Sequence, residues 1–395
     1  MKSHIRTWAW RVILAYIFIR PMISDINMQN ADFVITGAFL IAVCAFFTPK
    51  SPVRAPIDKR VYAFILALFL SLIFSADRLN TMTVFYKYFA FTGLFFACRI
   101  LSENEEKTLT AAVIAGAIFL AIYSLRSVFV VSVRTLQYMA ENNIRYPFAV
   151  EFISRKRAFF PFILPSILAS YLVAVIPVSA GLVFNRMKDK SKDLLFYAGI
   201  LCFVLCASLL FLTRSISGWI TFLISAFTFM TLARKVNRKT ILVLALIAVI
   251  LASLWYMRTH ESKVFTHPLF SIKTRLAYWA GTVSIIRTHI LTGTGLGNFS
   301  LPSTLYAHNS YLQIWAEMGL FGIITWLAIV FAFVGKGLRR IRDNRSDYYT
   351  IGIFTGGLAF LIINLTEFSF FCPQAAFLWW VILGITANRK EPQPA

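Results

Sequence analysis

The chain is predicted to be an all-α polytopic membrane protein of about twelve transmembrane helices, with a helical loop region outside the bilayer. Three observations carry that fold class. Of 395 residues, 58% are hydrophobic and 16% aromatic, with a mean hydropathy of +0.71, more than a soluble core of this length needs. Apolar runs long enough to cross a bilayer recur along the whole sequence. Lys and Arg collect in alternate connections between those runs.

The runs fall near 9–24, 31–48, 61–76, 82–100, 108–132, 159–184, 194–212, 216–233, 240–257, 310–334, 350–366 and 374–388. A hydrocarbon core of about 30 Å takes roughly 17 to 25 residues of helix, which these meet or approach. Arg11 and Arg20 sit inside the first run and weaken it, and the short link between the seventh and eighth leaves room for a helical hairpin. No small-residue cleavage site follows the first run, so it is expected to be retained. The sequence divides into N-terminal membrane helices (1–132), a basic outer loop (133–158), central helices (159–257), a large outer loop (258–309) and C-terminal helices (310–395).

With the N-terminus inside, the inner connections carry Lys50, Arg54, Lys59 and Arg60; Arg186, Lys188, Lys190 and Lys192; Arg234, Lys235, Arg238 and Lys239; and Lys336, Arg339, Arg340, Arg342 and Arg345. The opposite connections at 25–30, 77–81 and 367–374 are nearly free of base. Both ends are therefore predicted on the cytoplasmic side, and the net charge of +22 reads as topology rather than as affinity for nucleic acid. Cys44, Cys98, Cys202, Cys206 and Cys372 lie in or beside apolar runs without metal-like spacing and read as small buried hydrophobes, with no disulfide expected.

Two outer loops break the charge rule. The first holds Arg134, Arg145, Arg155, Lys156 and Arg157 among Tyr138, Tyr146, Phe148 and Phe152; the second holds Arg258, Lys263, Lys273, Arg275 and Arg287. Either long loops cross regardless of charge, or these bases meet an anion, such as the phosphate of a lipid carrier or of a surface lipid. Within the second loop a helix is predicted from about Lys273 to Thr288, placing Arg275 near a positive helix end. Gly293, Gly295 and Gly297 then read as a simple loop or, less specifically, as a phosphate cradle. His308, Asn309 and Ser310 open the tenth run as helix-start residues, with the histidine a cap or a catalyst. Glu317 lies at membrane depth, where a carboxylate needs a partner: either a structural bond to a neighbouring helix or a direct role.

Arg275-x3-Trp279, Gly295-x-Gly297-x-Phe299 and His308-Asn309-x-Tyr311-Leu312-x4-Glu317-x-Gly319-x2-Gly322 resemble the signature region of the bacterial O-antigen ligase and polymerase family of membrane glycosyltransferases. The segment Leu212-Thr213-Arg214-Ser215-Ile216-Ser217-Gly218-Trp219 is similar to a shorter motif of that family at the start of a span. Here Ile216 stands where the family usually has arginine, with Arg214 two positions earlier. Two residues turn a helix by about 200°, so Arg214 can substitute only where the chain is extended or frayed. The specific likeness covers roughly 205–330.

The resemblance implies a GT-C-like fold in the inner membrane and a donor glycan linked through diphosphate to undecaprenol. It implies lipid A-core as acceptor, with the site facing the periplasm. Arg275, Arg214 and Arg145 are then the donor-diphosphate residues. A guanidinium grips two phosphate oxygens and stays charged, and charge placed against a developing anion is usually the largest catalytic contribution. The acceptor hydroxyl must lose a proton, a task that suits histidine. His308 is the first choice, with His260, His267 and His289 as alternatives. Trp279, Gly295, Gly297, Asn309, Tyr311 and Glu317 are expected to support the site. Carboxylates are sparse in both outer loops, so an inverting transfer without metal or other cofactor is expected. A repeat-unit polymerase of the same family would use the same residues, with ligation favoured by motif spacing and chain length. A secondary transporter should show two similar halves with polar groups near mid-membrane, whereas the polar groups here gather at one face of one half.

Overall fold

The computed structural model describes residues 2–24, 28–46, 56–142, 152–234, 270–343 and 347–388, with isolated positions between 245 and 256. The described helices are α1 (Lys2–Ile19), α2 (Gln29–Phe46), α3 (Pro56–Ile73), α4 (Arg78–Arg99), α5 (Glu103–Arg126), α6 (Ser132–Glu141), α7 (Pro165–Lys188), α8 (Leu194–Thr213), α9 (Ile216–Leu232), α10 (Phe270–Thr288), α11 (Ser310–Asp343), α12 (Tyr348–Ile363) and α13 (Pro373–Ala387). A described helix overlaps every predicted apolar run except 240–257, where only isolated positions, all helical, are described. Five are long and apolar enough to cross a membrane: α2, the α5–α6 rod, α7, α8 and α11. Three more apolar helices, α9, α12 and α13, are shorter.

Local chemistry fixes where these helices begin. Asp77, Asp193, Ser215 and Asp347 accept from backbone N–H groups at the starts of α4, α8, α9 and α12. Ser102 and Glu105 bond reciprocally at the start of α5. Each satisfies donors that the first helical turn leaves without partners.

Polar bonds sort the helix ends onto two faces. On one, Arg6 pairs with Glu105 at 2.8 Å, Arg99 with Asp58 at 3.0 Å and Arg186 with Asp193 at 2.9 Å. There too the Tyr349 hydroxyl meets Thr110, and Arg340 donates to Ile385 O at the end of α13. The other face gathers the α3–α4 turn, the α8–α9 break, the starts of α10 and α11, and residues 364–372. Gln374 stitches this face by donating to Pro21 O and Pro161 O.

Helix α13 lies at the centre, with all fifteen residues buried. Trp379 and Trp380 pack with Trp326, Phe64, Phe333 and Phe360 from surrounding helices. Lipid-facing side chains such as Ile41, Phe89, Val204 and Phe331 remain exposed on the periphery.

Three sequence expectations need correction. Arg20 is not stranded in the first span: α1 ends at Ile19, and Arg20, in the following turn, pairs with Asp32 at 2.8 Å and donates to Ile23 O. The basic stretch at 133–158 does not begin as a loop, because α5 continues through a π-turn at Ser127–Val131 into α6. The tenth run is not one straight helix, since Gly319 (φ 68, ψ −169) bends α11 sharply. Arg145 lies outside the described residues, as do His260 and His267.

Candidate functional site

The densest polar convergence on the second face is built around a residue the sequence reading did not single out, Glu367. It follows α12 in the connection to α13 and is fully buried. Its Oε1 accepts from Ser217 Oγ at 2.8 Å and from Arg275 Nη2 at 2.5 Å. Its Oε2 lies 3.9 Å from His308 Nδ1, outside hydrogen-bond range but close enough for strong electrostatic coupling. Both atoms are buried and, among the described residues, neither has a hydrogen-bond partner, a rare arrangement in a folded protein. Burial alone would push the Glu367 carboxyl up, but the Arg275 guanidinium, with His308 and Ser166 adding to it, holds it below the ordinary carboxylate value.

Arg275 comes from the first turns of α10, Ser217 from the first turn of α9 and His308 from the residues leading into α11. The chain reaches this geometry at some local expense. His308 has left-handed backbone (φ 50), uncommon for a side-chain-bearing residue, and such outliers cluster at functional sites. Its ring stacks on Tyr278 at 5.5 Å and meets the edge of Phe368 at 4.9 Å, while its carbonyl accepts from Trp279 Nε1 at 3.3 Å. Asn309 caps α11 by accepting from the N–H groups of Tyr311 and Leu312. Ser310 fastens the helix start to the next connection through Asn364 Oδ1 at 2.6 Å and Glu367 O at 3.1 Å. Tyr311 donates to Leu361 O.

Arg214 occupies the two-residue break between α8 and α9. Its backbone is left-handed (φ 50) and Ser215 is extended, so the displacement from the usual motif position is not a 200° rotation along one helix. Arg157 reaches the same break from the segment before α7, donating Nε–H to Thr213 O at 3.1 Å and lying over the Phe152 ring. The break thus has Arg157 and Arg214 at its rim and Ser217 joined to Glu367.

The glycine segment sits elsewhere. Its N–H groups are taken up inside the protein: Gly293 donates to His289 O, Thr294 to Ala316 O, Gly295 to Glu317 O, Leu296 to Ser71 Oγ and Gly297 to Glu317 Oε2. The segment therefore serves as a clasp between α11 and the α3–α4 turn, where Asn80 and Asn298 add further bonds. Glu317 finds its partners in that clasp and in Gln313, at 2.9 Å. Gly293 and Gly319 both have positive φ, and a Cβ on either would fall within 2.3 Å of a backbone oxygen of the other strand of the clasp. His289 ends α10 beside Thr288, about 21 Å along the helix from Arg275 at 1.5 Å per residue.

Glu367, Ser217 and Arg157 were missed as site residues. Glu367 did carry a signal, being the lone acid between Tyr348 and Asn388. Arg157 and Ser217 stood inside stretches already marked, with nothing to set them apart from their neighbours.

Comparison with curated proteins finds no match for the chain. A protein-family model described as O-antigen ligase matches residues 201–327, which run from α8 to the middle of α11 and contain Arg214, Ser217, Arg275 and His308. Over that segment the chain is similar to the O-antigen ligase family.

Proposed function

We propose that the protein is an inner-membrane glycosyltransferase that moves an O-antigen glycan from undecaprenyl diphosphate to a hydroxyl of the lipid A-core, at the periplasmic face. The observation that carries this reading is the meeting of Arg275, Ser217 and His308 on the buried Glu367, within and beside the family segment. The donor diphosphate lies against the α8–α9 break, where Arg214, Arg157 and Arg275 supply positive charge. A guanidinium has five N–H donors, so Arg275 can hold Glu367 and a phosphate oxygen together. Glu367 sets the direction of the fork.

His308 then takes the proton of the acceptor hydroxyl. With Nδ1 turned to Glu367, Nε2 is the nitrogen that faces the acceptor. The acceptor oxygen attacks the anomeric carbon, the bond from that carbon to the diphosphate oxygen breaks, and its electron pair leaves on the diphosphate among the arginines. Attack opposite the leaving group inverts the anomeric centre. The step needs no metal, because fixed guanidinium charge meets the developing anion.

The full architecture fits twelve crossings with both ends inside. In support, the ends of the described helices sort onto two faces, with Phe229 packing on Phe184 near Tyr348 and α10 sitting beside Glu367. The test is reconstitution of the purified protein with lipid-linked glycan and lipid A-core. A joined product supports ligation. Longer glycans still on the lipid carrier, with bare core, would assign the polymerase reaction instead.

A further inference from the structure

We infer that α10, the helix bearing Arg275, is an interfacial helix that lies in the headgroup layer of the bilayer instead of standing in water above it. Its depth follows from its bonds. Just before the bend at Gly319, Glu317 O accepts from Ser71 Oγ near the end of α3, and Thr294 O of the same clasp accepts from Ala76 N–H in the α3–α4 turn. Gly319 therefore lies with that turn at the membrane surface. The chain leaving α10 is pinned there, since Leu320 N–H donates to Ile290 O at 2.8 Å and Trp315 Nε1–H to the same oxygen. Earlier in α10, Trp279 is pinned to His308 O, beside the end of α12 at that same surface. Both parts of the helix lie at one level, so it runs along the membrane.

Its side chains divide three ways. Arg275, Tyr278, Thr282 and Ile286 face the protein. Ile272, Leu276 and Val283 form an exposed apolar stripe, Leu276 being 54% exposed. Lys273, Ser284 and Thr288 form an exposed polar stripe on the far side of Arg287. A helix in water has no use for the apolar stripe, and hydrocarbon would penalise the charges of Lys273 and Arg287. Only a boundary satisfies both, with Lys273 and Arg287 placed to meet anionic headgroups. The apolar stripe continues onto Leu291, 71% exposed beside Gly319, and below it Phe321 and Ile324 of the crossing part of α11 are exposed as well. The occupant is thus the bilayer surface that already surrounds the crossing helices.

The experiment places single nitroxide labels through Leu276→Cys, Val283→Cys, Lys273→Cys and Ser284→Cys, in a background where exposed Cys44 is serine. The protein is held in nanodiscs of phosphatidylethanolamine and phosphatidylglycerol. Collision with oxygen should exceed collision with a water-soluble nickel chelate at 276 and 283, with the reverse at 273 and 284. Chelate-dominated collisions at all four sites, oxygen-dominated collisions at all four, or spin–spin broadening between copies at 276 and 283 would each overturn the inference. No turnover is read, so such a failure is distinguishable from failure of the transferase reading.

Discussion

At His308 the site brings together a left-handed backbone, a ring held between Tyr278 and Phe368, and an unmet nitrogen opposite an unmet carboxylate oxygen. A group positioned for proton transfer and little else should be dispensable for folding. His308→Ala is expected to purify normally and to lose about 10² to 10⁴ in transfer rate, measured with reconstituted donor and acceptor. Arg275→Ala should lose about 10² to 10³, and Arg275→Lys should recover little of it, because an ammonium cannot fork between Glu367 and a phosphate. Near wild-type turnover by the lysine variant would count against the clamp. Glu367 supplies a pH signature. Its folded carboxyl titrates below the unfolded one, so the stability it contributes is complete above the ordinary carboxylate range and is lost as pH falls through the depressed value. Thermal melts of Glu367→Gln should therefore be lower than wild type near neutrality and converge with it in acid. A constant gap at every pH would mean that the Arg275–Glu367 pair does not carry the effect.

At the scale of elements, what was legible in the sequence was what depends on local pattern. The described apolar runs, the helix start at Asn309 and the helix bearing Arg275 appear where hydropathy and capping chemistry place them. Glu367 was not legible as a hub, because its partners come from three distant parts of the chain. Likewise Gly295 and Gly297 give the same pattern whether their N–H groups face a phosphate or a neighbouring helix, and only the fold shows those groups bonded to Glu317. Arg20 read as a defect in α1 because its answer, Asp32, sits on another helix, joined there by Lys87 at 3.1 Å. Removing one member of a buried pair costs about 3–5 kcal/mol, whereas replacing both with apolar groups is often nearly neutral. Asp32→Asn should thus reduce the yield of folded protein sharply, and Arg20→Met with Asp32→Leu and Lys87→Met should restore it, as followed by size-exclusion profiles in detergent. Gly319→Ala should disrupt the clasp more than any exposed glycine change, since it meets the Leu291 carbonyl at positive φ.

For the whole molecule, the two-faced sorting of helix ends makes the topology testable at exposed positions. Cysteines at Asn142 and Ser303 should react with a membrane-impermeant thiol reagent in cells permeabilised at the outer membrane alone, and one at Lys188 should not. Protection of Asn142 or Ser303 would reverse the orientation. The buried α13 bears on how such a molecule is made. At fifteen residues it is about 22 Å long, short of the bilayer core, and Lys336 and Arg340 of α11 bind the carbonyls at its end. It is also translated after every other described helix. Its neighbours must therefore leave the ribosome before the piece they surround exists, and they remain an open ring in the lipid until it arrives. The described bundle is then completed by a late insertion into a waiting slot, and a nascent chain halted before Pro373 is the form in which membrane quality control would meet this protein.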